Sequence, residues 1–498
     1  MPFNDGQSQL EPLLFQMKQY KNLTKSTIEI TPSSGQGNYS PNQKVIFTLP
    51  YASTISLEDL ALHFTFTSKN LPVATAASGG DSTCIEKITA PRDVASLISE
   101  IDIKINGQTV QHLTRYNDIV NIFEQFQNGS VSASALAGAN KYKDVWKQMY
   151  TIDDASGAIT PGNDTINKDS TKNVVSKKFI VNKWYGLLGA RGKETSSNFI
   201  DTNMLGEVTI AFTLARASVC PSVIKPETTA LGEASALTSG EYTAAFNGRN
   251  TSYELSDVKM SMVRYNLPNS YGEALASNLS GGAKYQIAFN HYEFHTQKAG
   301  KESDTLRWNE NSRDLKGLLA VFTDNERENT NLPMTYDVEM NTSPYFKYEN
   351  TIHDYSQFQI GSVKMPQNVL DTESVYLENC RGLFPNRGHD GIISGGFNTT
   401  SAGKTTFNYH CNGDIVEFLQ YYFMAYLSLE MSEGVSAEAK MGKKLLSGLS
   451  SEQLPISCSY TYKNKGANSK SWDKSVHVIS LTTRMLVIEN GQSVHVEI

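Results

Sequence analysis

The chain has 498 residues, a formal net charge of −7, and is 39% hydrophobic and 19% charged. That length exceeds one ordinary core, so two large domains or several small ones are expected. The acidic balance and the lack of a long Lys/Arg run argue against direct nucleic-acid packaging, which relies on basic side chains to neutralise phosphates.

The charged share falls below the ~25% usual for soluble domains, while Ser, Thr, Asn and Gly are plentiful. Such a balance suits a β-rich protein with many turns. Twenty-four Tyr and 21 Phe against 4 Trp supply aromatic volume for sandwich cores and subunit interfaces. The five cysteines (Cys84, Cys220, Cys380, Cys411 and Cys458) are scattered and contain no CxxC pair. Neither a zinc site nor a disulfide framework is indicated, and reduced thiols in a cytosolic or nuclear compartment are expected. The opening MPFNDGQSQLEPLL lacks the charged-then-apolar order of a signal peptide. No apolar run approaches the ~18 residues of a membrane-spanning helix. The sequons at Asn22 and Asn128 read as chance matches.

In chain order, the first predicted element is a short amphipathic helix. Ser8 and Glu11 have capping-box spacing, Pro12 suits a first turn, and Leu10, Leu13, Leu14 and Met17 share one face. This helix either docks on its own domain or reaches a neighbour or a membrane surface. Strand signals begin with KVIFTLP at Lys44. In LEDLALHFTFTSK, Leu60, Leu62, Phe64 and Phe66 alternate with Ala61, His63, Thr65 and Thr67, the mark of a half-buried antiparallel strand. Ile101, Ile103 and Ile105 alternate likewise and run into Asn106-Gly107, a hairpin signal. Tyr116, Ile119, Val120 and Phe123 share the face of a helix. Val208, Ile210, Phe212 and Leu214 give the next clear strand.

Alternation stops around residues 217–250, which read as a Pro-, Gly- and Ser-containing connector. It resumes at Val258, Met260 and Met262, then at Tyr285, Ile287 and Phe289, and at Phe358 and Ile360. RMLVIENGQSVHVEI reads as a final hairpin with Asn490-Gly491 at its tip. Further helices are expected around NSYGEALASNL and SAEAKMGKKLLSGL. Long polar stretches follow Leu71, Ala155 and Arg387, and are expected on the surface. The predicted division is a 1–40 arm, a first β domain over 41–220, a linker over 221–250 and a second β domain over 251–498. Leu62, Phe64, Phe66, Ile103, Ile105, Ile210 and Phe212 are the expected first core. Ile287, Phe289, Phe358 and Ile360 belong to the second.

The chemistry of common enzymes is sought without success. GGFNTTSAGKTT ends like a phosphate-binding loop, but Asn398 stands where the first glycine belongs, five positions before Gly403 and Lys404. GLLGARGKET fails too, with Leu187 at the glycine position, then Gly192, and Glu194 where a magnesium-ligating hydroxyl is needed. His291 and His295 have the spacing of a zinc helix, yet KYQIAFNHYEFH reads as a strand, where four residues span about 13 Å. One metal cannot bridge them. Catalytic, cofactor-binding and metal-binding residues are therefore all assigned as none.

Taken together, three segments resemble the double jelly-roll major capsid proteins of icosahedral double-stranded DNA viruses, most of all those of virophages and polinton-like viruses. SEIDIKINGQTVQHLTRYNDIVNIFEQF, from Ser99 to Phe126, is similar to the family's strand, Asn-Gly turn, strand and Tyr-led helix. SRDLKGLLAVFTDNE, from Ser312, resembles its Ser-Arg-x-Leu-Lys run into an apolar strand. IHDYSQFQIGSVKMP, from Ile352, resembles a Tyr-x-x-x-Gln-x-x-Gly-Ser-x-x-x-Pro passage of the second jelly roll. The likeness covers roughly residues 40–498.

The resemblance implies an all-β fold of two consecutive eight-stranded antiparallel jelly rolls with short helices and long surface loops. It further implies a non-enzymatic subunit of pseudo-hexagonal homotrimers that tile a virion capsid assembled inside the host cell. Partners would be neighbouring capsomers, pentons and minor or cement proteins. An internal membrane is a further candidate, through the N-terminal helix, which would sit at the base of the trimer with Lys18, Lys21 and Lys25 beside its apolar face. The runner-up reading is a β-sandwich carbohydrate-active protein, a glycosidase or a fibre-like lectin. A secreted adhesin comes third.

Overall fold

The computed structural model describes residues 24–497 except 36, 52, 71–72, 76–82, 128–149, 153–158, 162–175, 190–198, 227–249, 267–272, 274–276, 279–280, 283, 336–342, 349–352, 384–393, 400–404, 411–422, 430–448, 451–454, 465–472 and 490–492. The expected N-terminal helix and most of the 436–449 helix lie outside the described residues.

Sixteen strands build two sandwiches. The first contains β1 (Thr24–Ile30), β2 (Lys44–Thr48), β3 (Thr54–Lys69), β4 (Ile98–Ile105), β5 (Gln108–Leu113), β6 (Ser176–Val181), β7 (Val208–Leu214) and β8 (Ser252–Asn266). They form one sheet in the order β1-β8-β3-β6 and a facing sheet β2-β7-β4-β5. The second contains β9 (Tyr285–Lys298), β10 (Ser303–Glu310), β11 (Leu315–Asp324), β12 (His353–Ile360), β13 (Val363–Leu370), β14 (Met424–Ser428), β15 (Ile456–Asn464) and β16 (Lys474–Glu489). Its sheets run β9-β16-β11-β14 and β10-β15-β12-β13, so each strand holds the same rank as in the first sandwich. This winding, which places the first strand beside the eighth, is that of a jelly roll built from Greek keys.

Period-2 alternation determines which side chains enter each core. Every residue expected there is buried, from Leu62, Phe64 and Phe66 through Ile210 and Phe212 to Ile287, Phe289, Phe358 and Ile360. A fully buried Phe contributes about 1.5–3 kcal/mol relative to an exposed one, so these faces fix the register. The turn after β4 is made by Asn106 and Gly107 at φ 49° and 79°, the paired positive values of a two-residue hairpin turn. Strand β11 departs from alternation: Leu315 through Thr323 are all buried, since both faces of the strand are covered.

The expected domain boundaries need correction. The strand at 252–266, placed by its sequence after the connector, is the last strand of the first sandwich. It pairs with β3 over Ser252↔Lys69 to Tyr265↔Thr54, and Tyr253 stacks on Phe66 at 5.7 Å. Likewise β1, expected in an N-terminal arm, pairs with β8. The first sandwich therefore spans 24–266, and the polar 217–250 segment is an insertion between its seventh and eighth strands. Composition could not tell an insertion from a boundary, and it missed the strand Pro221–Pro226 within it, while residues 227–249 lie outside the described residues.

Helix α1 (Tyr116–Gln127) follows β5 as expected, and a second helix, α2 (Thr372–Leu383), follows β13 where no helix was expected. Asp371 caps α2 by accepting from the Ser374 amide at 2.8 Å. Of the helix expected around NSYGEALASNL, the described residues are Glu273, Ser277 and Asn278, and all three are helical.

Because consecutive strands alternate in direction, their connections fall alternately at two ends. The connections 70–97, 114–175, 215–251, 325–352 and 371–423 all leave from equivalent ends of their sandwiches. The opposite ends carry short turns such as 106–107, 311–314 and 361–362, alongside the longer 182–207 and 429–455.

Candidate functional site: the joint between the sandwiches

The two loop-bearing ends meet. Pro221–Pro226, in the first sandwich's last connection, pairs in parallel with Met334–Thr335 of the second. Ser343 Oγ donates to the Ser218 carbonyl at 3.0 Å, and the Met334 amide donates to the Cys220 carbonyl. These bonds satisfy backbone groups that would otherwise be orphaned at a buried seam.

Next to this seam lies a buried charge cluster. Asp118, in the first turn of α1, accepts hydrogen bonds from Arg327 Nη1 at 3.1 Å and Nη2 at 3.0 Å. Tyr348 donates its hydroxyl to the same carboxylate at 2.9 Å. Arg327 also donates to the Tyr345 carbonyl at 2.9 Å and lies 4.7 Å from the centre of that ring. Arg115 donates to Glu328 at 3.0 Å and to Asp118 at 3.4 Å, while Arg216 donates to the Glu328 carbonyl. Burial alone would raise the Asp118 carboxyl, but the charge of Arg327, then of Arg115, holds it below its ordinary value. Desolvation in turn lowers the Arg327 guanidinium, and Asp118 together with Tyr345, Tyr348 and Glu328 more than offsets that. Two parallel N–H···O bonds give this pair directional specificity as well as attraction.

A second contact runs alongside the first, between β5 and β9. Gln111 Nε2 donates to the Asn290 carbonyl at 3.3 Å and faces His291 Nδ1 at 3.4 Å, while its Oε1 accepts from the Leu187 amide at 2.7 Å. Around it, Phe123 of α1 and Tyr185 pack against Tyr292 of β9 at 5.3 and 6.1 Å. Gly186 permits the approach. At φ +79° it lies so close that a Cβ would meet Gln111 Oε1 at 2.5 Å. The near-miss phosphate motif GLLGARGKET thus carries a glycine needed for packing, and its Leu187 is buried.

His291 and His295 both lie on β9, as the strand reading expects, in different surroundings. Burial, then Arg484 and His112, push His291 down to about 3. His295 stacks on Trp308 at 5.4 Å and sits near Ser480 and Glu310. These three resemble a hydrolase triad in residue type only. Ser480 Oγ at 3.3 Å and Glu310 Oε2 at 3.9 Å both face the same His295 nitrogen, and Ser480 donates to Glu310 at 2.7 Å. A working triad places the nucleophile and the carboxylate on opposite ring nitrogens. In the other near-miss motif, Asn398 sits in an extended ribbon opposite Thr406, while Gly403 and Lys404 lie outside the described residues. Among the described residues, no cluster of three His, Cys, Asp or Glu side chains could hold a metal. No helix among them is long and apolar enough to cross a membrane.

No family model matches the chain, and no curated protein matches it in sequence. Solved structures do match. The quasi-atomic capsid of the PBCV-1 virus is 12% identical with a TM-score of 0.52, over 97% of this chain and 98% of that one. The Sputnik virophage structure is 10% identical with a TM-score of 0.52, over 97% and 90%. The Faustovirus major capsid protein is 9% identical with a TM-score of 0.50, over 96% and 92%. The fold is a double jelly roll. Nearly end-to-end coverage on both sides means that the double jelly roll accounts for both sandwiches together. The joint that couples them left little trace in the sequence. Asp118 reads as an ordinary helix N-terminal acid, and Arg327 lies in the polar run TDNERENTN; only the flanking apolar strand and helix hint at burial.

Proposed function

We propose that this chain is a major capsid protein, the subunit of homotrimeric pseudo-hexagonal capsomers that tile an icosahedral shell, and not an enzyme. The observation that carries the reading is the pairing of two sandwiches with identical winding in one chain, braced by a buried joint, in the fold that the PBCV-1, Sputnik and Faustovirus structures share. Three such chains offer six similar sandwiches, enough for a ring with hexagonal outline. The likeness supports this reading over a carbohydrate-active sandwich. The Ser480, His295 and Glu310 geometry also weighs against hydrolysis.

In this reading the chain works in the virion capsid and is assembled inside the host cell. Its partners are neighbouring capsomers, pentons and minor proteins, with an internal membrane as a candidate for the N-terminal segment. The acidic charge fits a shell that does not bind nucleic acid directly.

Mass photometry tests the reading. A particle of about 165 kDa, three times the 55.0 kDa chain, is expected, with a six-cornered outline in negative-stain images. A stable monomer at micromolar concentration would overturn it.

A further inference from the structure

The side-chain amide of Gln111 fits the joint only one way round. Its Oε1 accepts from the Leu187 amide at 2.7 Å, and its Nε2 donates to the Asn290 carbonyl at 3.3 Å. A backbone N–H needs an oxygen and a backbone carbonyl needs an N–H, so turning the amide over would break both bonds. The side chain is 1% exposed and Gly186 lies hard against it, which leaves no room to swing aside. Gln111 and Leu187 belong to the first sandwich, Asn290 and His291 to the second. Facing the fixed Nε2 donor at 3.4 Å is His291 Nδ1. That nitrogen must offer a lone pair, and a neutral ring then carries its proton on Nε2.

Protonation would make Nδ1 a donor too and set two N–H groups against each other across the joint. The charges around the ring add to the cost. His112 approaches from β5 and Arg484 from β16, and both act against a further positive charge. Lys316 of β11 holds the neighbouring Asn290 side chain at 2.8 Å. Glu293, two residues along β9, is engaged with Arg484 at 3.5 Å. The ionic contact alongside has the same bias. Arg115, Arg216 and Arg327 face two carboxylates there, Asp118 and Glu328, so positive charge is already in excess. His477 lies within their field, with its ring nitrogens taken up by Thr296 and Thr323 at 2.8 Å each, and a proton on it would enlarge that excess. On its own strand Lys474 pairs with Asp324 at 3.9 Å.

We infer that Gln111 and His291 form an acid-released latch, which holds the two sandwiches together near neutral pH and lets them part as folded units when His291 takes up a proton. The closed joint keeps the ring neutral down to about 3, while an opened joint leaves it near the ~6.5 of a free histidine. Opening therefore binds a proton between these two values, and the opened population rises about tenfold for each unit that the pH falls within that window. The latch acts inside a single chain, so it stands or falls independently of how copies assemble.

Hydrogen exchange of the unmodified protein at pH 7 and pH 5, corrected for the intrinsic rate at each pH, locates the opening. The reporter is the Met334 amide, which donates to the Cys220 carbonyl across the joint. The amides of β3 and β15, each paired on both sides within its own sandwich, are the reference. Between the two pH values Met334 is expected to lose protection by about 25-fold. Strands β3 and β15 should keep theirs, protection should return at pH 7, and His291→Gln should abolish the loss. A loss shared equally by β3 and β15, no change at Met334, or an undiminished loss in His291→Gln would each overturn the latch. Should His291→Gln fail to fold, Gln111→Glu decides. Its carboxylate can accept from the protonated ring, so Met334 should be at least as protected at pH 5 as at pH 7. A loss of protection there would overturn the latch as well.

Discussion

Arg327 grips Asp118 across 209 positions of sequence through two parallel hydrogen bonds, 3.1 and 3.0 Å long, with both side chains withdrawn from water. One residue belongs to each sandwich, so the bond ties the orientation of the two units to local chemistry. Burying two charges is costly, and attraction repays the cost only when the geometry is complete. Here Tyr348, Arg115 and the Tyr345 carbonyl add further bonds, while Arg327 Nε makes no hydrogen bond among the described residues and lies 3.5 Å from Glu328 Oε1.

Removing one partner is expected to leave the other charge stranded. Arg327→Ala or Asp118→Ala should cost about 3–5 kcal/mol. The two sandwiches should also cease to melt together, with a second transition in calorimetry. Replacing both residues by apolar side chains of similar volume should cost much less. A single variant that melts as one unit at the unmodified temperature would show that the pair is not what couples the sandwiches.

Stability should fall as pH drops below neutrality. His291 is depressed to about 3, and His477 well below the usual value by burial and then by Arg115 and Arg327. Both stay neutral in the folded chain where the unfolded chain, titrating near ~6.5, takes up protons. Their contribution is fully present above that value and is lost as pH falls towards the folded values. Asp118 acts in the same direction further down, below the ~3.9 of an unfolded aspartate. Glu310, raised chiefly by burial, opposes them, since its contribution is lost as pH rises through its folded value. Between pH 7 and 5 His291 is expected to account for about 2 kcal/mol, and His477 acts in the same direction. Denaturant titrations at the two pH values check this, and His291→Gln should reduce the difference. Equal stability at both would refute it.

Gly186→Ala should destabilise the protein although the added group is a single methyl. It would hold a residue with a side chain at φ +79° and drive its Cβ into Gln111 and Leu113. The backbone strain alone is about 1–3 kcal/mol, and loss of the Gln111 bridge to Asn290 should add to it. An unchanged melting temperature would mean that the backbone there relaxes freely.

No nucleotide binding is expected at the Lys404 loop, because the ribbon that holds Asn398 and Thr406 is not the strand-to-helix turn that cradles phosphates. Calorimetric titration with ATP and magnesium should give no heat of binding. A signal that disappears in Lys404→Ala would reverse this expectation.

Elements with strict period 2 were legible from sequence, because one apolar face on a half-buried strand leaves a signal in consecutive residues. Strand β3, with Leu62, Phe64 and Phe66 inward, is such a case. Helix α1 was legible through Tyr116, Ile119, Val120 and Phe123. Helix α2 was not, since it anchors itself through Val375 and the polar Asn379 and so lacks an apolar stripe. Strand β1 was hidden for a related reason: TKSTIEI lies on an open edge and alternates weakly. Asp118 and Arg327 escaped detection altogether. A buried ion pair announces itself by proximity, and nothing local distinguishes either residue from surface charge.

The placement of β8 and β16 sets an order of events during synthesis. Each is the eighth strand of its jelly roll, yet each lies inside a sheet, between β1 and β3 and between β9 and β11. Neither sandwich can close before that strand has left the ribosome. The first is complete once Asn266 emerges, and can fold while the second is still being made, as domains commonly do. The second must wait for Glu489, so β9 and β11 spend the intervening translation time without the strand that belongs between them. Slowing the ribosome between Asp324 and Lys474 therefore prolongs the exposure of the all-apolar run in β11, the interval in which a chaperone has most to do.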